Sequence, residues 1–160
     1  TISVLKGLLT RNVEGINMVN APFIAKDRGV EVKESKSTEV HEYTSTMTVT
    51  AKTSKGKRSV TGSVFGKGDS RIVQFNEFHF EAVLSSHMLV LTNIDVPGVI
   101  GKLGSVLGAN KINIAGFHLG RIKEGDKAVA VVNIDSQPDS ETVSALREIE
   151  GVLNVSTVLL

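Results

Sequence analysis

The sequence contains no cysteine and no tryptophan, and only 4% of its residues are aromatic. The lack of cysteine excludes disulfides, thiolate zinc sites, iron–sulfur ligation by this chain and a cysteine nucleophile. It also fits a reducing compartment, so we expect a cytoplasmic protein. The scarcity of aromatic rings leaves little surface on which nucleic-acid bases could stack.

Excess charge and long apolar runs are missing as well. The 18 basic residues nearly balance the 17 acidic ones, and the net charge is +1. This is not the electrostatic footprint of a nucleic-acid-binding protein. No run approaches the roughly 18 apolar residues that a membrane span needs. We therefore expect neither nucleic-acid nor membrane partners for this chain of 160 residues, a length that suits one ordinary domain or two small ones.

The first half of the sequence changes from a helical to a strand-like period. One helical face is shared by four apolar residues: Ile2, Leu5, Leu8 and Leu9. The pattern of 16–28 predicts a second helix, which Pro22 either kinks or restarts after Asn20-Ala21. A helix at the very start leads us to expect a piece of a longer protein. An antiparallel meander is then predicted from alternating segments at 43–51, 58–65, 71–75 and 78–81. In the first of these, Met47 belongs to the face that we expect to be buried.

The second half has a different order of predicted elements, and it follows a linker expected at 82–86. Strands are predicted at 87–93, 112–122, 128–134 and 152–158, with helices at 99–110 and 139–148. The resulting order βαββαβ is that of a ferredoxin-like module. The fold class is therefore α+β: helices and a meander in a domain at 1–84, followed by a βαββαβ domain at 87–160.

The segment from Asn93 to Gly104 is the most informative for chemistry. A strand ends there, Pro97 suits the first turn of a helix, and a helix follows. The helix N-terminus, at Gly98, Val99 and Ile100, suits a carboxylate, and Asp95 suits an ammonium group. The segment thus favours a zwitterionic amino acid as ligand, but Asp95 could equally serve only as a helix cap.

The same helix carries three glycines, at 101, 104 and 108. Each interior glycine costs about 1 kcal/mol relative to alanine, so we expect a close approach of other backbone. Tight packing within the domain and packing against a partner chain both remain open.

Other polar residues are less specific. Asn113, at the start of the second strand of this module, would approach Asn93 and Asp95 if that strand ran beside the first; simple turn chemistry is the alternative. The four histidines lack metal-ligand spacing, and no serine pairs with a histidine and an acid, so the sequence predicts no metal and no catalytic residue. Basic residues cluster at the hairpin turns as well, where solvated charges and an anion site are both open.

These residues carry a resemblance to a known family. Asp95 to Gly101 and Ile112 to Ala115 are similar to the signature segments of an ACT domain, the βαββαβ amino-acid sensor of metabolic enzymes. Val19 to Gly29 and Gly62 to Gly66 resemble the intervening domain of long-form D-3-phosphoglycerate dehydrogenases, also called an allosteric substrate-binding domain. The strand that normally opens this domain is missing here, as are the NAD-binding and catalytic domains.

The resemblance implies a regulatory fragment of that family. The parent enzyme oxidises 3-phosphoglycerate with NAD in serine synthesis, while the fragment itself would hold neither cofactor nor catalytic site. L-serine would inhibit by binding where two ACT domains pair in a homo-oligomer, beside the parent's catalytic domains. The resemblance carries the effector-binding positions over to Asp95 and Asn113, and Asn93 occupies a third position that varies in the family. For the anion site of the intervening domain, only Arg71 matches a basic position, since Val83 and Asn133 are not basic. A purely structural oligomerisation module, or the regulatory part of an iron–sulfur L-serine dehydratase, are the alternatives.

Overall fold

The computed structural model describes residues 1–38, 43–54 and 56–160 of the chain. One of the four histidines, at 41, and one of the basic residues at the hairpin turns, the lysine at 55, lie outside these ranges. The chain divides into two compact units, Thr1–His41 and Glu42–Leu160. The domain boundary expected near residue 85 remains a prediction.

The first unit is built on two helices, α1 (Ile2–Thr10) and α2 (Ala21–Asp27). Asn20 is the N-cap of α2 and Pro22 lies in its first turn, where proline does not disrupt the hydrogen bonds of a helix. The helix expected over 16–28 is therefore shorter than predicted: it begins at Ala21, and residues 18–20 before it form a turn. The two helices bury a small apolar cluster formed by Leu5, Leu9, Ala21 and Ala25.

The second unit begins with the predicted meander. Its strands are β1 (Thr46–Thr53), β2 (Gly56–Phe65), β3 (Asp69–Phe75) and β4 (Phe78–Val83), antiparallel and in that order. The side chain of Met47, expected to be buried, is 61% exposed. It lies on β1, and no residue of this strand belongs to an apolar cluster in the described part of the chain.

The rest of the unit is the predicted βαββαβ module, which confirms the α+β class. It comprises β5 (His87–Ile94), α3 (Val99–Ala109), β6 (Ile114–Arg121), β7 (Lys127–Ile134), α4 (Ser140–Arg147) and β8 (Val152–Leu159). The strand order is β6-β7-β5-β8, with antiparallel neighbours throughout. The expectation that β6 runs beside β5 is wrong, because the crossover through α3 leaves a gap that β7 fills.

Both faces of this second sheet are covered. On one face α3 and α4 enclose a core that includes Leu89, Leu107 and Val132. On the other face β4 of the meander packs through Phe78, Phe80 and Ala82, against a patch formed by Met88, Val129 and Val131. Ala82 was expected to begin a linker, but it is a buried strand residue instead, 1% exposed.

At Gly120 the second sheet lies close to the meander. A Cβ atom at this position would lie 2.7 Å from Cδ1 of Phe80 and 3.0 Å from the carbonyl oxygen of His79. Only glycine lets β6 come this close to β4. The meander is thereby packed directly on the strand that forms one edge of the βαββαβ sheet.

Candidate functional site

An open cavity of about 250 Å³ lies where β5 ends and α3 begins. Its walls come from the β5–α3 connection and from the β6–β7 hairpin. The lining residues are Asp95, Val96, Pro97, Gly98, Ile100, Arg121 and Glu124. The sequence-predicted residues Asp95, Gly98 and Ile100 therefore share one cavity.

Asp95 is fixed in this cavity by its backbone and its side chain. Its N–H donates to the carbonyl of Asp126 at 2.8 Å, and its carbonyl accepts from the N–H of Gly125 at 3.2 Å. Its Oδ2 accepts a hydrogen bond from Nη1 of Arg121 at 2.9 Å. The carboxylate raises the pKa of the Arg121 guanidinium above its ordinary value, through this hydrogen bond first and through charge attraction second. The alternative in which Asp95 caps α3 is not observed.

The N-terminus of α3 opens onto the same cavity without a side-chain cap. Gly98 is the N-cap, with φ at 94°, a left-handed conformation that suits glycine. Pro97 precedes the cap instead of lying in the first turn as expected. The first intrahelical bond is donated by Lys102 to Gly98, so the N–H groups of Val99 and Ile100 have no partner inside the helix.

Asn93 points away from this arrangement. It is 5% exposed, and its Nδ2 donates to the carbonyl of Ile94 at 2.9 Å. The residue is therefore close to Asp95 in sequence but does not line the cavity. Val99 is similarly buried, at 4% exposure, so that only its backbone N–H is relevant to a ligand.

Asn113 lies at the other end of the sheet. Asn93 is level with Ala128 on β7, whereas the start of β6 is level with Ile134. These six residue steps correspond to about 20 Å at about 3.3 Å per residue. Within one chain Asn113 and Asp95 therefore do not converge, and Nδ2 of Asn113 donates to Oδ2 of Asp135 at 2.9 Å instead.

The three glycines of α3 have open space beside them. A Cβ atom at Gly101, Gly104 or Gly108 would meet no described atom of the chain within 4 Å, apart from adjoining residues and the helix's own backbone. Tight packing within the domain, one of the two explanations considered for these glycines, is therefore not found.

Arg71, the candidate anion ligand, already has two carboxylate partners. Its guanidinium donates to Asp69 and to Glu81, with nitrogen–oxygen distances of 2.6 and 2.8 Å. These partners, Asp69 foremost, raise its pKa above the ordinary value. The guanidinium also lies 4.7 Å from the centroid of the Phe65 ring. An anion at Arg71 would have to compete with both carboxylates.

No group of three or more histidine and acidic side chains in the described part of the chain could hold a metal ion. Nor does any of the described helices have the length and apolar character needed to cross a membrane.

Two residues that line the cavity, Arg121 and Glu124, were not predicted as site residues from the sequence. They belong to the end of β6 and to the turn that follows it, far from Asp95 along the chain. Only the sheet order and the hydrogen bonds of Asp95 to that turn bring them to the cavity. The available signals were a basic residue just before a Gly-containing turn and the similarity of Gly120-Arg121, followed by Gly125, to a segment of the ACT domain.

Both halves of the chain match known protein domains. Residues 1–76 match the D-3-phosphoglycerate dehydrogenase intervening domain, and residues 87–151 match the ACT domain. The D-3-phosphoglycerate dehydrogenase of Synechocystis is 35% identical over 99% of this chain and 29% of its own length. The one from Methanocaldococcus jannaschii is 32% identical over 96% of the chain and 29% of its own length. The chain thus spans less than a third of these relatives. The chain therefore carries a match to the intervening domain followed by an ACT domain, and across most of its length it is similar to D-3-phosphoglycerate dehydrogenases.

Proposed function

We propose that this chain is the regulatory region of an NAD-dependent D-3-phosphoglycerate dehydrogenase of serine biosynthesis, and that it binds L-serine as a feedback inhibitor between two paired ACT domains. The observation that carries the proposal is the cavity at the end of β5, where Asp95 and the uncapped start of α3 meet. ACT domains generally bind amino acids and dimerise. The dehydrogenase activity would reside in the catalytic domains of the parent enzyme.

The cavity suits a small amino acid because it offers both signs of charge. The carboxylate of Asp95 can accept from the ammonium group of the ligand. The free N–H groups at Val99 and Ile100 carry the positive end of the helix dipole and can donate to its carboxylate. The apolar side chains of Val96 and Ile100 are exposed at the rim, by 43% and 46%, and would cover the ligand's carbon atoms.

A second copy of the chain would bring Asn113 to this cavity. β6 lies at the edge of the sheet and runs parallel to β5. If two copies of β6 paired antiparallel about a twofold axis between Phe117 and His118, Ile114 of one copy would lie opposite Arg121 of the other. Asn113 of one copy would then lie beside the Asp95 cavity of the other. Such an isologous edge pairing is common in homodimers and would extend the sheet across the interface.

The glycines of α3 support the same mode of pairing. α4 packs against β8, so α3 covers the half of the sheet that includes β6. The open space beside Gly101, Gly104 and Gly108 would admit the backbone of a second α3. The other exposed edge of the sheet, β8, has no such glycine-bearing helix next to it. We therefore place the interface at β6 and α3.

A purely structural oligomerisation module is the second candidate, and the placement of Asn93 favours it. The carboxamide of Asn93 is buried and bonded to backbone, so one of the three expected effector contacts does not face the cavity. The dehydratase alternative has less support, because residues 1–76 match a domain named for the dehydrogenase.

Calorimetric titration with L-serine, with D-serine as the control ligand, tests the proposal. We expect saturable heat from L-serine at millimolar concentration or below, and little from D-serine. Ligand binding also stabilises the fold, by about 2.7 kcal/mol when the ligand is present at 100 times its Kd. A confirmed dimer that gives no heat with L-serine would contradict the proposal.

Asp95→Ala separates the sensor from the scaffold. A sensor loses both the heat of L-serine binding and the ligand-dependent stabilisation when this carboxylate is removed. A scaffold keeps its dimer and has no ligand effect to lose. Asp69→Ala is the matched control, since it also removes a carboxylate paired with an arginine but lies on the meander. It should leave L-serine binding unchanged.

A further inference from the structure

The carboxylate that would receive the ligand's ammonium group already has a cationic partner in the chain. Nη1 of Arg121 lies 2.9 Å from Oδ2 of Asp95. Both residues line the cavity, together with the exposed start of α3. An acceptor and a donor of opposite charge thus stand side by side in the cavity before any ligand arrives.

The two partners differ in how firmly they are held. The side chain of Asp95 is 15% exposed, and its backbone is tied to the β6–β7 turn by two hydrogen bonds. The side chain of Arg121 is 55% exposed. An ion pair with so much solvent access contributes little to stability, so a ligand can separate it at small cost. Asp95 is therefore the fixed member and Arg121 the member that can move.

We infer that Arg121 is the specificity-determining residue that binds the carboxylate of the amino acid, while Asp95 binds its ammonium group. This inference rests on the proposed function. A zwitterion inserted between the two side chains replaces one intramolecular ion pair with two intermolecular ones. The guanidinium presents five N–H donors in a planar fork that matches a carboxylate, and the bond to Asp95 uses only one of its nitrogens. The N–H groups of α3 then add to this contact.

The same arrangement selects against ligands of other charge. An amine without a carboxylate cannot engage Arg121, and a hydroxy acid without an amine meets Asp95 as a like charge. Glu124 also lines the cavity and adds a second carboxylate to its wall. An amino acid with an acidic side chain would therefore be repelled. The site suits a neutral α-amino acid with a short side chain.

The test compares L-serine with L-serine methyl ester, which keeps the ammonium group but has no carboxylate charge. Calorimetry or competition gives the Kd of each for the dimeric wild-type chain, Arg121→Ala and Arg121→Lys. We expect Arg121→Ala to weaken L-serine binding by about 10-fold to 100-fold, the usual effect of losing a hydrogen bond to a charged group. The wild type should prefer L-serine over the ester, and Arg121→Ala should lose most of this preference. Arg121→Lys should fall between the two.

Lys123→Ala is the matched control, because Lys123 is a nearby cation in the β6–β7 turn that does not line the cavity. It should bind L-serine like the wild type. If wild type binds L-serine and Arg121→Ala binds it equally well with the same preference over the ester, Arg121 is only a surface ion pair and the inference is overturned. Absence of binding by the wild type would instead overturn the proposed function. If Arg121→Ala fails to fold or dimerise, Arg121→Lys, which keeps the charge, is used in its place to test whether Arg121 binds the carboxylate of L-serine.

Discussion

Replacing the three glycines of α3 by alanine should have opposite effects on the single chain and on the dimer. Gly101, Gly104 and Gly108 lie within the helix, and a Cβ atom at each would meet no described atom of the chain within 4 Å beyond the adjoining helix. Alanine is favoured over glycine inside a helix by about 1 kcal/mol. Gly108 is close to the C-terminal end of α3, where the gain is smaller. The triple variant should therefore stabilise the separate chain by about 2–3 kcal/mol.

The dimer should respond in the other direction. If two α3 helices approach along the glycines, added methyl groups overpack their contact, which typically costs about 1–3 kcal/mol. Each cost of about 1.4 kcal/mol raises the dissociation constant of the dimer tenfold. The variant should thus be a more stable chain that associates more weakly.

Two measurements on the same protein check this prediction. Urea unfolding at high dilution reports the stability of the chain, and sedimentation equilibrium reports the dissociation constant of the dimer. Gly7→Ala is the control, because Gly7 lies inside α1 with equally open space beside it. It should leave association unchanged. A triple variant that dimerises as tightly as the wild type would refute the pairing through α3, and one without increased stability would refute the helix-propensity argument.

Two further predictions concern stability alone. Gly120→Ala places a methyl group within 2.7 Å of the Phe80 ring, and it should lower the free energy of unfolding by about 1–3 kcal/mol. Gly116→Ala is the comparison, because the closest contact of a Cβ atom there is 3.3 Å. Urea unfolding of the two variants should show the larger loss of stability for Gly120→Ala. Asp139 caps α4 by accepting from the N–H of Thr142, which lowers the pKa of its carboxyl below the ordinary 3.8. Because the folded-state pKa is depressed, this stabilisation is present above pH 3.8 and is lost as the pH falls through the folded value. Urea midpoints measured from pH 7 to pH 2 should therefore fall more on acidification in the wild type than in Asp139→Asn, because asparagine caps the helix without titrating. An equal fall of the midpoint in both proteins would contradict the role of the Asp139 carboxylate as the cap of α4.

Local patterns in the sequence were sufficient to predict most elements. Alternating apolar residues marked the strands, and β7 and α3 lie within one or two residues of their predicted ranges. Pro22 indicated an interruption within the expected helix, and α2 begins at Ala21, because proline fits the first turn of a helix and disrupts its interior. These features depend on a few neighbouring residues, which is why sequence alone can predict them.

The misplaced features depend on contacts between distant segments. The position of β7 between β5 and β6 follows from how the whole sheet assembles, and no single segment encodes it. The burial of Ala82 depends on β4 packing against a sheet formed later in the chain. The exposure of Met47 depends on which elements cover the meander, and no residue of β1 belongs to an apolar cluster in the described part of the chain.

The same distinction applies to the candidate site. Asp95 and Gly98 could be predicted because they lie in one short segment with a helix start. Arg121 could not, because it reaches the cavity only through the β6–β7 hairpin. The expected convergence of Asn113 with Asp95 depended on β6 lying beside β5. Because Asn113 lies at the opposite end of the sheet, it can contribute to the proposed site only from a second copy of the chain.

A crystal structure of the chain grown with L-serine tests the central claim most directly. The account predicts β6 paired antiparallel with β6 of a second copy, and serine density in the cavity of Asp95 and Arg121. Asn113 of the second copy should lie within hydrogen-bond distance of that serine. A dimer joined elsewhere, for example through β8, or serine bound away from Asp95, would contradict the account.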